Sequence, residues 1–183
     1  MKVSKIAKRY AKALLDIGKE DGHYKQYGQE LKRFSEICKK NENFFYVLSS
    51  PVFSIEERIK LLDSVLEKMG FSKIFNNFLR VLLERKRITS IYEISDYYSK
   101  LLDDLLGIAR AKIITARPLK KKTLDKLIKS LEKFISKKVE SETEIDESII
   151  GGVIVKIGDL VLDGSITAQL RGLTQSLKRG EYR

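Results

Sequence analysis

Ile145-Asp146-Glu147-Ser148-Ile149-Ile150-Gly151-Gly152-Val153-Ile154-Val155-Lys156-Ile157-Gly158-Asp159-Leu160-Val161-Leu162-Asp163-Gly164-Ser165 decides the fold, because only here do glycines, β-branched residues and turn residues gather in a helix-rich sequence. Gly151-Gly152 interrupts an apolar run, and glycines inside a strand pattern mark a bulge or a close backbone approach. Val153 to Ile157 is β-prone, Gly158-Asp159 signals a turn, and Leu160 to Leu162 returns as a short strand. Asp163-Gly164-Ser165 offers an N-cap, since a short side-chain oxygen accepts from the first free backbone N–H groups of a helix. Beyond it Ile166, Leu170, Leu173 and Leu177 fall at i, i+4, i+7 and i+11, one face of a helix. The unit reads as strand, tight turn, short strand and capped helix.

The ordered set Asp146-x-x-x-Ile150-Gly151-Gly152, Gly158-Asp159, Asp163-Gly164-Ser165 and Leu170-x-x-Leu173 resembles the C-terminal signature of the F-type ATP synthase delta chain. The mitochondrial relative of that family is the oligomycin sensitivity-conferring protein. The bland alternative is a generic αβ domain with glycines at bulges. One glycine pair would not separate the two readings, and the whole ordered set does.

The 183 residues suffice for one compact domain or two small ones. A hydrophobic fraction of 43% supports a core, and 33% charged residues favours solubility over disorder. The single cysteine, Cys38, excludes an intramolecular disulfide, fits a reducing compartment and shares helical spacing with Leu31 and Phe34 as a small core residue. No apolar run approaches the ~18 residues of a membrane span. Lys2, Lys5, Lys8, Arg9 and Lys12 suggest an amphipathic leader, but Asp16, Glu20 and Asp21 follow at once, so the N-terminus is expected to be mature. The formal net charge of +11 is concentrated: residues 117–138 hold nine basic against two acidic side chains, a net +7. Such a segment implies an acidic partner surface or nucleic acid, with a solvated helix face as the bland alternative.

Six helices are expected before Gly107. The first, Ser4 to Gly18, turns Ile6, Tyr10, Ala13, Leu14 and Ile17 to one face. The second covers His23 to Lys40. The third, Phe44 to Leu48, is capped within Asn41-Glu42-Asn43. The fourth, Ile55 to Met69, opens on a capping box formed by Ser54 and Glu57. A fifth, Phe71 to about Lys86, is apolar almost all round, which suits either a central helix or one with a face for a partner. The sixth runs from Ser90 to Leu106 and stops at Gly107. The period then changes: Ile108 to Ala116 alternates as a half-buried strand, Leu124 to Ile135 carries a helical stripe, and Lys137 to Ile145 alternates again. Lys120-Lys121-Lys122 stands where the helix macrodipole disfavours cations, which leaves that helix's cap unassigned. The fold expected is mainly α: a six-helix bundle over residues 1–106, then a small α/β domain over 107–183 in the order β-α-β-β-β-α.

There is no phosphate-cradling Gly-rich loop and no dinucleotide fingerprint. With one histidine and one cysteine, a His/Cys metal site or a Cys-His nucleophile has almost no material. The chain reads as one that holds and does not react, with no cofactor.

The resemblance extends to Ile6-Ala7-Lys8-Arg9-Tyr10-Ala11-Lys12-Ala13-Leu14, to Leu48 through Arg58, and to Asn77-Phe78-Leu79 through Arg85-Lys86-Arg87-Ile88. It implies a stator subunit of the proton-driven ATP synthase. The bundle would sit on the catalytic head and grip N-terminal helices of alpha subunits, and the C-terminal domain would hold the C-terminal ends of the stalk's b subunits. It further implies no nucleic-acid partner, and membrane association only through the complex, at the cytoplasmic face of the bacterial cell membrane. Excess apolar surface on helix five, and Tyr10 beside small Ala11 and Ala13 on helix one, agree with the family in placing the alpha-subunit groove at Tyr10, Ala13, Phe75, Asn76 and Leu79. Lys120, Lys121, Lys122, Lys126, Lys129 and Lys133 are the candidates for electrostatic contact with the b subunits.

The rival from another class is a basic helical RNA-binding protein of the antitermination-factor type. The +7 segment supports it, but the tyrosines and phenylalanines fall on core stripes and leave no stacking platform beside the lysines. A basic membrane-surface protein is disfavoured because the basic helix lacks an apolar face beyond its core stripe.

Overall fold

The computed structural model describes residues 3–179. The chain divides into two compact units, one ending at Leu102 and one beginning at Asp103. The first contains α1 (Lys5–Glu20), α2 (Tyr24–Lys40), α3 (Glu42–Ser49), α4 (Ile55–Met69), α5 (Lys73–Glu84) and most of α6 (Ile91–Leu106), with one 3-10 turn at Ile88–Ser90. The last turn of α6 belongs to the second unit because Asp103 takes a two-pronged bond from Arg110 (2.6 and 2.8 Å) and Asp104 pairs with Lys137 at 3.0 Å.

Serine caps start three of these helices. The hydroxyls of Ser4, Ser54 and Ser72 accept from the backbone N–H of Ala7, Glu57 and Phe75 at 3.2, 3.2 and 3.3 Å. Ser54 and Glu57 form the expected capping box, the Glu57 carboxylate accepting from Ser54 N at 2.8 Å. Ser72 is why α5 begins at Lys73 rather than Phe71; Phe71 stays outside the helix and packs edge-on against Phe75 at 5.3 Å. The third helix is longer than expected and starts at Glu42. Asn41 gives it no side-chain cap and instead donates from Nδ2 to the Ile37 carbonyl at 3.1 Å.

All six helices feed one core that includes Leu14, Leu31, Phe34, Leu48, Leu62, Phe75, Leu79, Leu82, Ile91 and Tyr98. Within it the Glu30 carboxylate is buried, yet it accepts from Ser72 N (2.9 Å), Ser72 Oγ (2.8 Å) and Gln26 Nε2 (2.9 Å). A carboxylate so bonded at the start of α5 answers free helix N–H groups and favours the dipole there.

The second unit is a four-stranded mixed sheet with two helices. β1 (Ile108–Thr115), β2 (Lys138–Ile145), β3 (Val153–Ile157) and β4 (Leu160–Asp163) lie in the order β2-β1-β3-β4; β1 and β2 are parallel and the other neighbours antiparallel. α7 (Lys121–Ile135) brings Leu124, Leu127, Ile128, Leu131 and Ile135 against Ala111, Ile113, Val139 and Val155. Lys120 stands at its cap position with no capping bond, so packing of the apolar stripe, not a cap, sets where α7 begins. Gly152 has φ 84°, and a Cβ there would meet the Gly164 carbonyl at 2.2 Å, the close backbone approach that the glycine pair foretold. Ser165 Oγ then accepts from Ala168 N at 3.1 Å and starts α8 (Ile166–Arg179). Among the described residues no helix is long and apolar enough to cross a membrane.

Candidate functional site

Cys38 is buried, and loss of hydration pushes its thiol up to about 12, where a thiolate nucleophile is not available near neutral pH. His23 is exposed beside Asp21, its Nδ1 3.5 Å from the carboxylate. What the fold leaves without a partner is surface.

On the helical unit, Tyr10 and Phe78 join α1 to α5 by an edge-on contact of 6.4 Å. Tyr10 is half-buried and Ala13 is exposed, so both are open to a docking segment. Phe75 and Leu79 are not: each is 0% exposed, and they form the floor beneath the surface rather than the surface itself. They share a stripe with Leu82 and Leu83 that faces the core. The open stripe of α5 is Ile74, Phe78 and Val81, at i, i+4 and i+7, with Ile74 and Val81 exposed and Phe78 half-buried. The sequence shows α5 apolar on nearly every side, and periodicity alone does not tell which of two adjoining stripes turns inward. Asn76 lies on the opposite flank of the core stripe from Ile74, Phe78 and Val81, half-buried, and its Oδ1 is sealed from solvent without a hydrogen-bond partner.

On the C-terminal unit Lys120, Lys121, Lys122, Lys126, Lys129 and Lys133 are all exposed. Lys122, Lys126, Lys129 and Lys133 follow one another at i, i+4, i+7 and i+11 along α7, and among the described residues no carboxylate pairs with them. Phe134 stands exposed on the same helix.

The larger apolar surface belongs to α8. Its stripe of Ile166, Leu170, Leu173 and Leu177 faces solvent, with Leu173 62% exposed. Spacings of four, three and four are those of a coiled-coil seam. Beside it Ile150 is 65% exposed and lines a groove of about 380 Å³ with Thr167, Leu170, Arg171, Thr174 and Gln175. Ile150 has φ 65° and ψ −44°, and Gly151 N donates to the Ile149 carbonyl at 2.7 Å across it. That is a γ-turn of the rare, strained hand. The sequence marked Ile150 as part of the motif but gave no sign of this display, because strain resides in backbone angles.

A family model described as ATP synthase delta (OSCP) subunit matches residues 6–177. The chain belongs to that family. Among its relatives are the proteins named ATP synthase subunit delta of Desulfosudis oleivorans, 41% identical over 99% of both chains, and of Desulfatibacillum aliphaticivorans, 42% identical over 99% of both. That of Geobacter metallireducens is 38% identical over 96% of this chain and 97% of its own. A chain in the cryo-EM structure of the Toxoplasma gondii mitochondrial ATP synthase hexamer superposes with a TM-score of 0.68 over 95% of this chain and 98% of that one; at 19% identity it shows a shared fold. This delta-family chain is accordingly a peripheral-stalk component of an F-type ATP synthase and is not itself catalytic. The RNA-binding alternative is not favoured. For a family member whose task is to hold other chains, the two open apolar stripes and the unpaired lysines are the features that call for partners.

Proposed function

We propose that residues 1–106 act as a six-helix bundle that binds N-terminal helices of alpha subunits, and that residues 107–183 hold the C-terminal ends of b subunits, on the cytoplasmic face of a bacterial cell membrane. The observation that carries this reading is the solvent-facing coiled-coil seam of α8, together with a second open stripe on α5. An apolar stripe at helical spacing is what an amphipathic partner helix covers. On the helical unit the groove is Tyr10 and Ala13 of α1 with Ile74, Phe78 and Val81 of α5; Phe75 and Leu79 support it from below, and Asn76, on the other flank of α5, takes no part. On the C-terminal unit the seam and Ile150 provide the apolar contact, while Lys120, Lys121, Lys122, Lys126, Lys129 and Lys133 attract an acidic segment of the stalk.

The magnitudes favour the apolar surfaces as the source of affinity. Covering one large apolar side chain contributes roughly 1.5–3 kcal/mol, and about 1.4 kcal/mol is a factor of ten. Exposed ion pairs contribute about 0.2–1 kcal/mol each. Titration calorimetry of the full chain with an alpha N-terminal peptide tests the head-side assignment. Tyr10→Ala and Ala13→Asp are each expected to weaken binding about tenfold or more, with circular dichroism showing both variants folded. Unchanged affinity in folded variants places the alpha-binding groove elsewhere.

A further inference from the structure

Arg58 of α4 is 7% exposed, and among the described residues no carboxylate pairs with it. Its Nε donates to the Ser54 carbonyl at 3.4 Å and its Nη1 to the Leu48 carbonyl at 3.5 Å, both long for N–H···O bonds. Its Nη2 has no protein partner among the described residues. Within that same span, Asn76 Oδ1 is the one sealed and unpaired side-chain polar atom. Nη2 is therefore not sealed, and Arg58 lines a cavity of about 110 Å³ with Ser49, Pro51, Lys86, Ile88 and Thr89. A buried guanidinium without a counter-charge is destabilising unless something else neutralises it.

Part of that neutralisation comes from the protein. α3 ends at Ser49 and α5 at Glu84, and each helix C-terminus presents about half a negative charge at most. Against these stand the full charges of Arg58 and Lys86, with Arg85 and Arg87 flanking Lys86 in the chain. The cavity stays net positive. A helix-capping role explains the two long bonds to carbonyls, but it leaves Nη2 without a task. Lys86 lines the same cavity; its φ of 55° is that of the left-handed residue that ends α5, where Lys86 N donates to the Leu83 carbonyl at 3.0 Å and Arg87 N to the Leu82 carbonyl at 2.7 Å.

We infer that this cavity binds a small tetrahedral oxyanion of the phosphate class. The unpartnered Nη2 of Arg58 supplies a charged donor of the kind such an oxyanion accepts. Lys86 adds a second positive charge to the lining, and Thr89 a hydroxyl that makes no bond among the described residues. Two cationic side chains in one lining suit a doubly charged phosphate better than a singly charged carboxylate. The site lies in the helical unit and does not depend on the partner assignments above.

The test is a titration of the full chain with inorganic phosphate at ionic strength held constant with sodium chloride, followed by the Arg58 Nε–H and Thr89 amide signals in ¹H–¹⁵N spectra. The expected result is a saturable shift with a midpoint on the order of millimolar. Lys86→Gly relieves the positive φ and so keeps the fold; it should weaken binding about tenfold, and Arg58→Gln should abolish saturation. Lys86→Gly decides the matter if Arg58→Gln unfolds. A parallel arm with glycerol phosphate separates the sources: tighter saturation than with phosphate assigns the site to an esterified phosphate, and equal, weaker or no saturation assigns it to the free ion. A non-saturating drift in the unaltered chain, or the same curve in Lys86→Gly, overturns the site.

Discussion

A β-branched residue at the centre of a strained γ-turn costs about 1–3 kcal/mol, and at Ile150 nothing inside the chain offsets it, since the side chain is 65% exposed. Glycine would take the same angles without steric penalty. The isoleucine therefore makes sense through what it meets outside the chain, in the groove it shares with Leu170. Ile150→Gly is expected to raise stability by about 1 kcal/mol once the greater entropy of the unfolded glycine is set against the relieved strain. The same change should weaken binding of a peptide from the C-terminal end of a b subunit about tenfold or more. Urea denaturation and calorimetry on one preparation read both quantities. A variant that is less stable and binds equally well would show that Ile150 serves the fold and not a partner. Its neighbour Gly152 was legible in the sequence because only glycine permits so close a backbone approach; the strain at Ile150 was not, because many residue types precede a glycine pair.

At the scale of elements, the sequence spoke most clearly where a local bond decides the structure. Ser54 with Glu57, Gly70 after α4, Gly107 after α6, and Ser165 before α8 all stand at the boundaries that their chemistry demands. Hydrogen bonds hold the Glu57 carboxyl below its ordinary value of 4.5, chiefly that from Ser54 N, and bonds from Ser148 and Ser165 hold Asp146 and Asp163 below 3.8. A carboxylate whose pKa is lowered by folding adds stability that is complete above its unfolded value and fades as pH falls through the folded one. Stability should therefore decline below about pH 4.5, and Glu57→Gln, which keeps an acceptor but cannot titrate, should narrow the gap between unfolding free energies at pH 7 and pH 3. An unchanged gap removes the capping box from the acid response. Periodicity was a poorer guide on α5 and α8. It reports that an apolar stripe exists, not whether the chain's own core or another chain covers it. On α5 it left two adjoining stripes undecided, and Phe75 and Leu79 proved to be floor; on α8 the whole stripe looks outward.

For the molecule as a whole, the two units have separate cores, and under the proposed assignments the character of each surface predicts how the two attachments answer to salt. The proposed α1/α5 groove is apolar, and Arg80 of α5 pairs within the unit with Asp63 at 2.9 Å. The C-terminal unit presents an apolar seam on α8 and, on α7, a ladder of unpaired lysines spanning about 16 Å by helical rise. Screening shortens the reach of charge from about 10 Å at 0.1 M salt to about 3 Å at 1 M, so it should act on the ladder and spare both apolar surfaces. Affinity for an alpha N-terminal peptide should then change less than about twofold over that range. Affinity for a b-subunit peptide should fall about tenfold, mostly through slower association, and level off at a residual value that the seam provides. Leu173→Ser, at a position 62% exposed and so of little consequence for folding, should remove that residual and leave the salt slope in place. Lys126→Glu should flatten the slope and spare the residual. A b-peptide affinity indifferent to salt excludes the lysines from the interface, and one that vanishes at 1 M excludes the seam.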